Sequence, residues 1–155
     1  MIITTSDFVG DITISGVENT LDGVATRLDA AIIKYEPKYL KMILGQILYD
    51  EFKLALEQAV VLAKWTELEG YLKESTAYYI YCKYQEKKGT ESTSVGEVIS
   101  STENSTRASQ DARFATIWND MITLSKEALL EIEKSVSLYE PVSTLYISYK
   151  NRFGL

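Results

Sequence analysis

In the last third of the chain, Phe114, Ile117, Met121, Leu124, Ala128, Ile132 and Val136 recur at spacings of three, four, three, four, four and four. An α-helix brings such positions to one side, so the pattern predicts a long helix with a single buried face. Its start falls between Ser105 and Asp111, with Asp111 near the positive end of the helix dipole. Pro141 stops any continuation. A helix of this length in a chain of 155 residues, about one domain's worth, needs other helices to cover it.

The preceding sequence supplies them. Leu21, Val24, Leu28 and Ile32 form a one-faced stripe that Asn19 or Thr20 can cap. Pro37 sets a boundary, because it disfavours helical geometry at Glu36 and suits the first turn of a new helix. Tyr39, Leu40, Ile43 and Leu44 give that short helix an apolar face, and Gly45 fits a left-handed C-cap. The pattern resumes from Gln46 with Ile47, Leu48, Phe52, Leu56 and Val60. Thr66 with Glu69 forms a capping-box pattern ahead of another long helix ending near Lys88, with Leu68, Leu72, Ser75, Tyr79 and Cys82 as its core stripe. The class is therefore all-α, a helical domain of four to five helices over residues 19–137. Residues 1–18 read as an extended arm or short helix, with 11–16 as a short strand or extended piece ending in Gly16. A long polar loop fills 89–110, dominated by Ser, Thr, Glu and Gly. Residues 138–155 form a C-terminal arm in which Leu145, Ile147 and Tyr149 alternate.

Composition removes whole classes of chemistry. The chain has no histidine, which excludes Ser-His-Asp and Cys-His nucleophile systems, histidine metal ligands and imidazole acid-base catalysis. Cys82 is the single cysteine, so no intrachain disulfide or CxxC pair exists, and a helical position suits it as a small buried apolar side chain. Asp50 and Glu51 diverge on a helix, and Glu127, Glu131 and Glu133 mix with Lys126 and Lys134 as on a solvated face. The glycines form no phosphate-binding fingerprint. The expectation is a non-enzymatic protein without metal or cofactor. No apolar run approaches the ~20 residues that span a bilayer, and no secretory leader is visible, which points to a reducing, intracellular setting and no membrane partner.

The sequence instead suggests interaction. Eleven residues are tyrosine, and Tyr71, Tyr78, Tyr81 and Tyr84 lie off the core stripe of one helix. A helix with aromatics round so much of its circumference is covered on more than one side, and a neighbouring subunit is a natural second cover. A connection of about twenty residues exceeds what a compact domain leaves unstructured, so 89–110 is expected to be functional, hairpin-like or ordered by a partner. Its aliphatics Val95, Val98 and Ile99, with Thr93, join the tyrosines and Leu145, Ile147 and Tyr149 as candidate subunit or partner contacts. Lys83, Lys87 and Lys88 favour the C-terminal end of their helix dipole, with contact to a partner acid or phosphate as the other reading. With 16 Lys+Arg against 22 Asp+Glu, the net charge of −6 argues against a protein that coats nucleic acid.

The order of these pieces resembles a known family. A helical start, YEPKYLKMILGQILYDEF (35–52), the tyrosine-rich AYYIYCKYQ (77–85), the loop STSVGEVISSTENST (92–106) and RFATIWNDM (113–121) are similar to the small helical head-tail connector proteins of tailed bacteriophages, also called adaptor or head-completion proteins. The resemblance covers about residues 20–136 and rests on helix faces and one Gly-bearing loop. It implies a virion protein, assembled in the host cytoplasm, that forms a homo-oligomeric ring, commonly twelve-fold, beneath the portal protein. Such a ring extends the channel through which double-stranded DNA passes and docks downstream neck or tail proteins. By position, the resemblance places subunit and portal contacts in Thr93 to Asn104 and Val142 to Phe153. An acidic wall that does not hold phosphate suits a conduit. Residues 1–18 and the tyrosine-dense helix depart from the family pattern. A monomeric or dimeric helical protein-binding module is the alternative.

Overall fold

The computed structural model describes residues 1–17, 23–88, 90–93, 96–99 and 104–134, with side chains described outside 88–111. Three long helices form the body: α1 (Val24–Leu56), α2 (Ala63–Lys88) and α3 (Asn104–Lys134). Between α2 and α3 stands an antiparallel hairpin, β1 (Thr90–Thr93) and β2 (Gly96–Ile99), in register Thr90 to Ile99 and Thr93 to Gly96. The class is all-α. The expected four to five helices become three among the described residues, because α1 runs through Pro37 and continues past a kink at Gly45 as one element.

α1 runs through Pro37. The proline removes one N–H and frees the carbonyl four residues back, at a cost of about 3 kcal/mol. That carbonyl belongs to Ile33, which is two-thirds exposed, so water can satisfy it. Ile32, Tyr39, Leu40 and Ile43 are buried and hold the helix across the proline. The true break is Gly45, whose φ of 76° and ψ of 167° fall in a region open essentially only to glycine. It is a sharp kink rather than the expected left-handed cap, and it turns residues 46–56 away from 24–44. α1 begins at Val24, directly after Gly23 in left-handed conformation. It closes at Leu56, where Gln58 N–H turns back onto the Ala55 carbonyl, and this leaves Val60 exposed rather than on the expected stripe.

α2 starts three residues ahead of the Thr66 box, its first turn made by Trp65 and Thr66 N–H on the Leu62 carbonyl. It lies between the other two helices, which explains burial over much of its circumference: Trp65, Leu68, Leu72, Ser75, Thr76, Ala77, Ile80, Tyr81, Cys82 and Tyr84 are all buried. The predicted α3 stripe is realised. Ile117, Met121, Ala128 and Ile132 are buried, and Phe114 and Leu124 are half-buried. α3 starts at Asn104, one residue before the expected window. Val136 lies outside the described residues.

One side chain joins all three helices. Tyr39 of α1 is fully buried; its ring stacks on Tyr79 of α2 with centroids 4.8 Å apart, and its hydroxyl bonds Ser125 of α3. Ser125 Oγ spends its one proton on the Met121 carbonyl at 2.6 Å, so the phenol is the donor. Burial pushes the Tyr39 hydroxyl up to about 12, which keeps that proton in place. No described buried side-chain oxygen or nitrogen lacks a partner.

The N-terminal segment is part of the core. It is neither a free arm nor a strand, but two short 3-10 turns, Thr5–Asp7 and Gly10–Ile12, with Ile2, Ile3, Phe8, Ile12 and Ile14 buried against the helices. Buried Glu36 fixes it, its carboxylate accepting the backbone N–H groups of Ile2 and Ile3 at 3.0–3.2 Å. Lys73 of α2 adds an ion pair to Asp7 at 3.0 Å. Burial raises the Glu36 pKa above its ordinary 4.5, while the two backbone donors pull it back down.

Two outcomes follow from these contacts. Tyr39→Phe should lower stability in urea by about 1 kcal/mol, the worth of one buried hydrogen bond. Tyr39→Ala should cost about 3–5 kcal/mol through the cavity it opens; equal costs would mean that the ring packs little. A carboxyl raised in the folded state stabilises while protonated, so the Glu36 contribution is full below pH ~4.5 and is lost as pH rises through the folded value. Glu36→Gln should therefore flatten the stability profile above pH 4.5, measured by urea titrations at several pH values.

Candidate interaction surface

Position on the bundle decides what each predicted contact residue can do. Tyr81 and Tyr84 are 6% and 8% exposed within the chain itself. The second cover expected from a neighbouring subunit is provided by the chain's own helices on both sides of α2, which removes the reason for assigning these two tyrosines to an interface. Tyr78 is half-buried, and Tyr71 is 36% exposed. Both remain on the surface.

Thr93, Val98 and Ile99 lie in the hairpin, Thr93 opposite Gly96, Val98 opposite Glu91 and Ile99 opposite Thr90. Of the three outcomes expected for the long polar segment, the hairpin-like one applies to 90–99. Val95, Leu145, Ile147 and Tyr149 lie outside the described residues. The sheet has two strands, and its first strand lies near the end of α2, from which it continues.

Two charged patches emerge, the first including Lys83 and Lys87, which the sequence offered as contacts to a partner acid or phosphate. On one side, the Tyr35 ring of α1 has three ammonium groups around it: Lys34 at 5.3 Å and Lys38 and Lys87 at 5.7 Å from its centroid. Lys83 extends this patch over Tyr79 at 5.8 Å and Trp118 at 5.4 Å, while pairing with Glu86 at 2.7 Å. These distances are in the cation–π range. The carboxylate of Glu86 and the neighbouring phenols together lift the Lys83 pKa against the opposing effect of its burial. Lys83 and Lys87 thus do more than complement a helix dipole.

On another side, burial raises the pKa of Tyr78 of α2, and the negative charges of Asp11, Glu74 and Asp120 add to the rise. Arg113 is adjacent, in a shallow recess with Asp11 and Asp120, and donates to the Asp11 backbone carbonyl at 3.1 Å. Lys34 and Lys38, four apart, were legible as one face of a helix. Lys87 and Asp11 join their patches only through the fold.

A third feature is an apolar recess of about 200 Å³ between the two limbs of α1, formed by Ile32, Pro37 and Leu40 facing Phe52 and Leu56. Around the bundle, Ile33, Ile47, Leu54, Leu62 and Leu130 are exposed. Among the described residues no group of three or more metal-ligating side chains occurs, and no helix is long and apolar enough to cross a membrane. Cys82 is fully buried. No protein-family model, no curated protein and no solved structure matches the chain.

The tyrosines separate cleanly by role. Tyr81→Ala and Tyr84→Ala should each destabilise the isolated chain by about 3–5 kcal/mol, as large-to-small core changes do. Tyr71→Ser should stay within about 0.5 kcal/mol of the parent, as for an ordinary surface change. Thermal melts at low protein concentration make the comparison, and a small cost at both Tyr81 and Tyr84 would return them to the list of surface groups.

Proposed function

We propose that this chain is a non-enzymatic structural subunit of a bacteriophage head-tail junction. It forms a ring beneath the portal protein in the virion, extends the channel for double-stranded DNA and docks the next neck or tail component. The observation that carries the reading is the hairpin β1–β2 between α2 and α3. Two strands alone are marginal in water, and an open strand edge is a template for pairing with another chain. Among the described residues no third strand covers either edge. A ribbon held at the end of a closed helical bundle suits contact with a neighbouring subunit or with the portal.

The helical body supports the same role. Its core is joined across three helices by a satisfied buried hydrogen bond, which suits a fixed building block. The order of helices and loop, resembling the connector family, supplies the portal, the downstream neck proteins and the twelve-fold ring of this proposal. A helical binding module would use the same ribbon on one partner and form no ring.

Replacing residues 90–99 with a Gly-Ser linker of equal length should leave the helical circular dichroism unchanged, because the three helices bury their apolar faces against one another. Electron microscopy of the parent chain mixed with the portal of its own phage should show rings, and the linker variant should show none. Rings from both would detach the hairpin from assembly. The absence of rings with the parent chain would overturn the connector reading.

A further inference from the structure

We infer that copies of this chain associate head to tail, the lysine patch around Tyr35 of one copy seating on the carboxylate patch around Tyr78 of the next. The inference rests on the assembly reading above and names the surfaces that would carry it, with a second copy of this chain as the occupant.

The two patches carry opposite net charge. Lys34, Lys38 and Lys87 converge on one tyrosine ring at 5.3–5.7 Å, and none of the three has an ion-pair partner among the described residues. Asp11 and Asp120 line one shallow recess together with Arg113, and Glu74 lies one turn before Tyr78 on the same helix; none of the three carboxylates is ion-paired among the described residues. Gathering three like charges costs energy through mutual repulsion, and an opposite patch relieves it. Tyr35 in the lysine patch and half-buried Tyr78 near the carboxylates each offer rigid area with a polar end, as interface residues do.

Geometry makes the contact directional. Lys87 and Glu74 both project from α2, thirteen residues apart, which places them about 140° apart round the helix at 100° per residue. Lys83 and Tyr78, five apart, are separated by about the same angle. One copy can therefore use both patches at once. Either patch placed against itself would oppose like charges, so a two-fold contact through one patch is disfavoured. A contact between two different patches is heterologous, and it closes into a ring or grows into a chain according to its rotation. Polyanion binding would occupy the lysine patch alone and leave the carboxylate patch without a role, in a chain of net charge −6.

Two triple variants of the full chain test this. One carries Lys34→Glu, Lys38→Glu and Lys87→Glu, and the other Asp11→Lys, Glu74→Lys and Asp120→Lys. All six positions are exposed, and circular dichroism checks that each variant folds. If either fails to fold, the neutral Lys→Gln or Asp→Asn and Glu→Gln set replaces it, with a smaller expected effect.

In sedimentation velocity, the parent chain should associate with rising concentration and dissociate at high salt. Each variant alone should associate more than about a hundredfold more weakly, because like charge then faces like charge. An equimolar mixture should assemble again, since in alternating copies the intact lysine patch meets the intact carboxylate patch and the introduced glutamates meet the introduced lysines. A parent chain that stays monomeric at every concentration, or variants that assemble like the parent, would overturn the inference. So would loss of binding to a random-sequence DNA duplex in the lysine variant with self-association unchanged, which would assign that patch to phosphate. Portal-bound rings formed equally by both variants would refute the charged contact and leave the connector reading standing. Salt-sensitive head-to-tail association without any ring on the portal would do the reverse.

Discussion

The arrangement of this bundle depends on the burial of Tyr39. Its ring fills the space between α1 and α2 against Tyr79, and its hydroxyl reaches α3 at Ser125. A buried phenol must find an acceptor or pay the cost of its desolvation, and Ser125 can accept because its own proton is committed to the Met121 carbonyl. The three helices are thus fixed in depth and rotation by one side chain with a definite donor direction. The same packing overrides the proline two residues away, since breaking α1 at Pro37 would withdraw Tyr39, Leu40 and Ile43 from the core.

With α1 on one side of α2 and α3 on another, the central helix needs no further cover for most of its apolar surface. Tyr81 and Tyr84 are absorbed by the chain itself. Beside Tyr71 and Tyr78, α2 brings charge to the surface: Lys87 at the Tyr35 ring with Lys83 near it over Tyr79, and Glu74 one turn before Tyr78 on a different side. The N-terminal segment completes the second of these patches, because Glu36 and Asp7 hold residues 2–12 against the bundle and so bring Asp11 beside Tyr78.

Much of the fold was legible residue by residue. The stripe from Phe114 to Ile132 faces the core as its spacing required, with Phe114 and Leu124 half-buried and the rest buried; Cys82 is a buried helical thiol, Gly45 is the place where α1 turns, and the polar stretch after α2 contains a hairpin. The candidate site was less legible. Tyrosines off one stripe of α2 were read as surplus, because a single stripe assumes one neighbour. The N-terminal segment was read as peripheral, because its short alternation carries no sign of the buried carboxylate that captures its backbone N–H groups from 34 residues away.

By itself, the sequence determined what depends on neighbours along the chain: helical periodicity, the break only glycine can adopt, and the chemistries that a chain without histidine cannot perform. Tertiary structure alone decided whether α1 would cross Pro37, which tyrosines the chain would cover, and which charges would gather around Tyr35 and Tyr78. Local geometry sets where a side chain lies on its own helix. Whether that side meets another helix, a returning N-terminus or solvent depends on packing energies summed over residues far apart in sequence, and no window along the chain contains them.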